Sequence, residues 1–281
     1  MRLRIELRRW HLGLHGLALL RDWPFGDREK AEARMGAMRD LLEGRGAPES
    51  FDIREVDALE ADAAYAEWAE TYDQPNPLII AKEQLIAGML QDVPPGLAVD
   101  AAAGTGRIAE ELARLGNRVI AIDRSWAMLE RARARVPSAH RLLADLAAMP
   151  IADGSVDLVT CSLALTHESD LDAPMHELGR IVRPGGRVIT SDIHPLSAAT
   201  GGHAFFKRAD GTRAVTRNYP HWPSAYVSAS MKAGLRIRRC QEAFVDDALL
   251  REFASGDLYL GPHSALNGLP FALLWEFERV D

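Results

Sequence analysis

Residues 97–123, LAVDAAAGTGRIAEELARLGNRVIAID, change apolar period twice around a stretch with almost no side chains. Leu97, Ala98 and Val99 read as the end of a buried strand, closed by Asp100. Ala101, Ala102, Ala103, Gly104, Thr105 and Gly106 form a turn of small residues. Ile108, Leu112, Ala113 and Leu115 then recur at helical spacing up to Gly116. Val119 to Ile122 are a second strand, ended by Asp123. Strand, tight turn, helix, strand and terminal acid make a βαβ unit suited to a nucleoside. The small turn lets backbone approach a ligand closely. The helix start offers unpaired N–H groups, and an acid at position 123 can accept both hydroxyls of a ribose.

Two cofactors suit this outline. Gly104, Gly106 and Ala109 match the G-x-G-x-x-G/A dinucleotide pattern, with Asp123 close to the expected offset. Asp100, directly before the turn, separates the two. A carboxylate there repels a pyrophosphate and attracts a cation. S-adenosyl-L-methionine carries a sulfonium and an ammonium and no phosphate, so the charge favours it over NAD.

Four further stretches follow in order: Ile122-Asp123, Leu143-Ala144-Asp145-Leu146 with Met149-Pro150-Ile151, Ser155 to Ser162, and Leu178 to Val188 through Pro184-Gly185-Gly186. Together with Val99 to Gly106, this series resembles the class I S-adenosylmethionine-dependent methyltransferases, in particular the small-molecule branch similar to the ubiquinone- and biotin-pathway enzymes. The resemblance covers about residues 64–195. It implies an α/β, Rossmann-like fold: a seven-stranded, mostly parallel sheet with helices on both faces and an antiparallel last strand, plus a helical N-terminal extension. It implies that Asp145 accepts the adenine amino group while Leu146 covers the ring; the plainer role for Asp145 is a helix N-cap. It implies that Tyr72, of the pair Tyr72-Asp73, closes over the methionine end of the cofactor, where packing of lid on core is the alternative. The cofactor contacts expected are Tyr72, Asp100, Ala101, Ala102, Gly104, Gly106, Asp123, Arg124, Met128, Asp145, Leu146, Ser162 and His167. The family usually has glycine where this chain has Ala102, so the turn must tolerate a methyl group there. Asp157 and Pro184-Gly185-Gly186 read as architecture, the latter as a turn between a helix and the fifth strand.

The 281 residues suffice for one α/β domain with embellishments. A net charge of −7 argues against a nucleic-acid partner. Two cysteines, Cys161 and Cys240, suit a reducing cytoplasm, and no His/Cys cluster has zinc spacing, so no metal is expected. Arg2, Arg4, Arg8 and Arg9 precede an apolar run from Leu12 to Leu20 that faintly resembles a signal peptide. His11 and His15 interrupt it, Arg21-Asp22-Trp23-Pro24 replaces a cleavage site, and the run is too short to span a bilayer. Leu12, Leu19, Leu20 and Trp23 read instead as an anchoring helix, with a membrane-surface helix as the alternative.

Residues 1–62 are expected to form the extension and lid, and 63–281 the cofactor-binding domain, with an acceptor-pocket insertion over about 192–225. Within the extension, Arg28 to Leu42 predicts a helix ended by Gly44-Arg45-Gly46-Ala47-Pro48, and Phe51 to Val56 a short strand. Ala63 to Tyr72 and Leu78 to Leu90 predict helices on either side of a turn. The insertion reads as an irregular polar loop, and its Phe205, Phe206, Tyr219, His221 and Trp222 suggest an apolar or aromatic small-molecule acceptor. Leu235 to Glu242 and Phe271 to Val280 read as the last two strands.

Methyl transfer to oxygen usually requires a general base. His167, His194 and His221 fall on loops at the ligand edge, with His194 the first choice and His167 the second. An amine or carbon acceptor needs none. Non-methylating use of S-adenosylmethionine, and an NAD-dependent oxidoreductase, are the competing readings; the second lacks a Tyr-x-x-x-Lys pair. A homodimer is left open.

Overall fold

The computed structural model describes residues 1–45, 53–255 and 264–280. The deciding stretch forms the centre of a seven-stranded sheet. β3 (Leu97–Ala101) lies between β4 (Arg118–Asp123) and β6 (Val156–Ser162), all parallel. The full order is β10-β11-β7-β6-β3-β4-β5, adding β5 (His140–Leu143), β7 (Val182–Ile193), β10 (Leu235–Phe244) and β11 (Pro270–Arg279). β11 runs antiparallel to both β7 and β10, as expected of the last strand. Because β3 is flanked by the strands of two oppositely directed crossovers, its carboxyl end faces a crevice, the usual ligand position in an open α/β sheet.

Both faces of the sheet are covered. On one side α4 (Pro77–Leu90), α5 (Arg107–Arg114) and α10 (Asp247–Ser255) meet the sheet through Ile86, Met89, Leu112 and Leu249. On the other, α7 (Asp172–Ile181) and α9 (Pro223–Lys232) bury Met175, Leu178 and Tyr226. α6 (Trp126–Arg135) packs beside β4 and α5. α4 starts where Asn76 accepts from the Leu78 and Ile79 amides at 3.1 and 3.4 Å, with Pro77 in the first turn. Asp157 proves architectural, accepting from the Leu97 amide and Arg183 Nε at 2.8 and 2.7 Å. Pro184-Gly185-Gly186 does not precede the fifth strand; it is an irregularity inside β7, which already begins at Val182.

The extension and the insertion depart most from expectation. β1 (Arg2–Glu6) and β2 (Ile53–Leu59) from the N-terminal region join β9 (Arg213–Thr216) and β8 (Ala204–Lys207) in a four-stranded sheet of order β1-β2-β9-β8. The strand expected from Phe51 to Val56 is β2, running on to Leu59, while β1 is a strand beyond expectation and the supposed irregular loop contains a hairpin. Its core is Leu7, Val56 and Val215, with Phe206, Ala214 and Ala64 of α3 (Ala61–Trp68) beyond. α1 (Leu7–Asp22) is anchored by Leu14 and Ala18 against Ala265, whereas Leu20 and Trp23 are exposed. α2 spans Arg28–Leu42 as read, N-capped by Asp27. Gly46, Ala47, Pro48 and Phe51 lie outside the described residues. Among those described, no helix is long and apolar enough to cross a membrane.

Candidate active site

The small-residue turn after β3 closes on itself. The Gly106 amide donates to the Ala103 carbonyl at 2.9 Å, and the Ala103 amide to the Ile122 carbonyl at 2.8 Å. Ala102 takes a left-handed φ of 57°, which costs an alanine roughly 1–2 kcal/mol relative to a right-handed position. Gly106 is needed at φ 84°, where a methyl group would also come within 3.0 Å of Ala132 on α6. Gly104 (φ 55°) has nothing within 4 Å of where a Cβ would stand, so space is open above the turn.

That space is a cleft, open to solvent, at the carboxyl ends of β3, β4 and β6. Asp123 stands at its edge. Its Oδ2 accepts from the Gly104 amide and its Oδ1 from the Ser125 amide, both at 2.8 Å. Burial still raises its carboxyl above the usual range. Asp100 lies beneath the turn, 1% exposed. Oδ1 accepts from Thr160 Oγ1 at 2.8 Å, while Oδ2 is buried without a hydrogen-bond partner. Burial pushes this carboxyl up to about 7. A buried carboxylate oxygen lacking a donor is a poor neighbour for a phosphate and a good one for a cation.

Opposite the turn, Ser162, Leu163 and Ala164 line the cleft, Leu163 with a left-handed φ of 57°. Behind them Lys82 of α4, 3% exposed, donates to Ser162 Oγ at 2.8 Å. Burial pushes its ammonium down to about 7. Tyr72 lines the cleft; Asp73 does not line it but clamps the turn, accepting from Thr105 Oγ1 at 2.7 Å and pairing with Arg135 at 2.9 Å. Arg107 lies 5.3 Å from the Tyr72 ring centre.

α3 crosses the mouth. Asp62 pairs with Arg124 at 2.5 Å, and the Tyr65 hydroxyl meets His167 Nε2 at 2.7 Å. Three residues apart on one helical face, the two bind opposite banks of the cleft.

A methyltransferase-domain family model matches residues 99–190. The malonyl-[acyl-carrier protein] O-methyltransferase of Yersinia pestis is 33% identical over 165 residues, 59% of this chain and 61% of that enzyme. The demethylmenaquinone methyltransferase of Renibacterium salmoninarum is 31% identical over 176 residues, 60% of this chain and 73% of the relative. This chain is an S-adenosylmethionine-dependent methyltransferase family member. It spans about six tenths of the length of the Yersinia relative. A solved S-adenosylmethionine-dependent methyltransferase from Mesorhizobium loti shares the fold, with TM-score 0.57 and 24% identity over 72% of this chain and all of that one.

The residues of this family member suit the family's cofactor: an acid at the end of β4, room above Gly104, and the unpartnered Asp100 oxygen for positive charge. Of the expected contacts, Tyr72, Ala102, Gly104, Asp123, Arg124, Leu146, Ser162 and His167 line one cleft. Ala101 and Gly106 are buried within the turn's framework, and Met128, 0% exposed, belongs to the core under α6. Asp145 is exposed at the rim, where its Oδ1 accepts from the Ala147 amide at 2.8 Å inside a turn; no helix starts there for it to cap.

His194, the first choice for a base, is not at the cleft. It is 6% exposed and N-caps α8 (Pro195–Ala199): Nδ1 accepts from the Leu196 amide at 3.1 Å, and Nε2 faces Glu242 at 3.1 Å. Both ring nitrogens are occupied, Nδ1 by the cap and Nε2 by Glu242. His221 Nε2 is bound to the Glu168 carbonyl at 2.7 Å. Tyr65, Lys82, Leu163 and Glu168 escaped the sequence reading. The only signal for Lys82 was a lone cation on the apolar helix Leu78 to Leu90.

Proposed function

We propose that this protein transfers the methyl group of S-adenosylmethionine to a small-molecule acceptor. The observation that carries the reading is Asp123: each oxygen accepts one backbone N–H and retains a lone pair for a ribose hydroxyl. Asp100, with its unpartnered oxygen, supports the sulfonium cofactor over NAD. When bound, the cofactor supplies an activated methyl group on sulfur. Ala102 and Gly104 then set the approach of backbone to ligand, Leu146 covers the adenine side, and Tyr72 excludes water from the methionine side. Tyr65, Trp68, Tyr72 and Phe206, with ring centres 4.9–6.0 Å apart in successive contacts, support an apolar or aromatic acceptor. We infer a cytoplasmic setting, consistent with two free thiols.

Isothermal titration with S-adenosylmethionine, S-adenosylhomocysteine and NAD in parallel tests this. The first two are expected to bind and NAD not. Asp123→Ala removes a charged hydrogen-bond acceptor and should weaken cofactor binding by about 1.5–3 kcal/mol. Unchanged affinity in that variant would sink the assignment.

A further inference from the structure

His167 is held from both sides. Nδ1 lies 2.8 Å from the Arg217 carbonyl oxygen, and Nε2 lies 2.7 Å from the Tyr65 hydroxyl. A carbonyl can only accept, so Nδ1 carries the hydrogen, and the neutral ring presents its lone pair at Nε2. Tyr65 must therefore donate to His167, which leaves the lone pairs of the phenolic oxygen for another donor. Both side chains line the cleft beside Ser162, Leu163 and Ala164. Burial pushes the imidazole down to about 4 and the phenol well above its ordinary range, so both are neutral at physiological pH. The charged and titratable groups around the pair are Arg124 after β4, Glu168 beside His167, Asp123, Asp192 of β7, and Tyr72.

We propose that Tyr65 and His167 form a proton relay for a neutral hydroxyl acceptor, an alcohol or a phenol, with Tyr65 contacting the acceptor and His167 receiving the proton. This deepens the methyl-transfer reading and rests on it. As the acceptor oxygen forms its bond to the methyl carbon, the carbon–sulfur bond of the sulfonium donor breaks and its electron pair stays on sulfur. The hydroxyl proton passes to the Tyr65 oxygen while the Tyr65 proton passes to Nε2. The products are a neutral ether, a neutral thioether and an imidazolium whose Nδ1–H stays on the Arg217 carbonyl. The imidazolium later returns its proton to solvent through Tyr65.

A weak base suffices, because an oxygen that is acquiring a methyl group becomes strongly acidic, and a ring with a low pKa is never blocked by protonation near neutrality. Carboxylates are already ionised there and aromatic amines already expose a lone pair, so neither gives the relay a task.

The test begins with S-adenosylhomocysteine binding by calorimetry; no binding would refute the methyl-transfer reading itself. In the saturated complex of ¹⁵N-histidine-labelled protein, phenol is added as a probe. The His167 Nε2 resonance is expected to move in wild type and to stay fixed in Tyr65→Phe. No movement in wild type, or the same movement in the variant, overturns the relay. With methyl-labelled S-adenosylmethionine, label is expected on phenol over aniline or benzoate, and the reverse preference also overturns it. At saturating S-adenosylmethionine, Tyr65→Phe and His167→Gln should each lower kcat by about 10²-fold, with the acid limb of the wild-type kcat profile lost. Weaker S-adenosylhomocysteine binding with kcat at saturation unchanged would make the pair a latch and nothing more.

Discussion

Asp100 illustrates how one side chain sets a binding preference. Its carboxyl is pushed up to about 7 because it is buried with only Thr160 as a side-chain donor. A cationic ligand nearby favours the ionised form and lowers that pKa. A ligand that lowers a pKa releases a proton on binding, so its affinity rises with pH. S-adenosylmethionine affinity should therefore increase as pH is raised through about 7 and level off above it, whereas Asp100→Asn should flatten the curve. Calorimetry at several pH values, in buffers of different ionisation enthalpy, reads both affinity and released proton. Lys82, pushed down to about 7, acts in the same direction, since losing its charge also removes repulsion of a cation. Lys82→Met should therefore remove only its own part of the slope.

At the scale of elements, α3 determines access. It is short, Ala61–Trp68, and only Ala64 is fully buried, so its position depends on the contacts made by Asp62, Tyr65 and Trp68. The Asp62–Arg124 pair is exposed on the aspartate side, which limits it to about 1 kcal/mol. Asp62→Asn should then speed S-adenosylhomocysteine dissociation by at most about fivefold, measurable by stopped-flow fluorescence; a hundredfold change would show that the pair does more than hold a lid.

For the whole molecule, the second sheet joins chain segments far apart in sequence. Phe206 on β8 is 5% exposed and stacks on Trp68 of α3 with ring centres 4.9 Å apart. Phe206→Ala should cost about 3–5 kcal/mol, read from urea unfolding, and should weaken cofactor binding by loosening α3. Loss of stability with unchanged binding would separate the sheet from the lid.

The sequence by itself determined the nucleotide half. There, strand, turn and helix are each encoded within a few residues: apolar runs of four or five, a turn of alanine and glycine, a helix of period 3.6. The packing of the five parallel strands follows from such units and the right-handed crossover between them. Asp123 and Gly104 were readable because they stand at the end of a strand and in the turn that follows one, whereas Tyr72 was read only from the family resemblance. Only the tertiary structure decided the rest. β1, β8 and β9 have four or five residues each, too few for a period to show; β1 and β9 become strands by pairing with β2 from distant parts of the chain, and β8 by pairing with β9 in a hairpin. His194 and His167 look alike as loop histidines after parallel strands; a neighbouring amide and Glu242 turn one into a cap, while Tyr65, 102 residues away, engages the other in the cleft. Contacts of that span are properties of the packed chain, not of its local sequence.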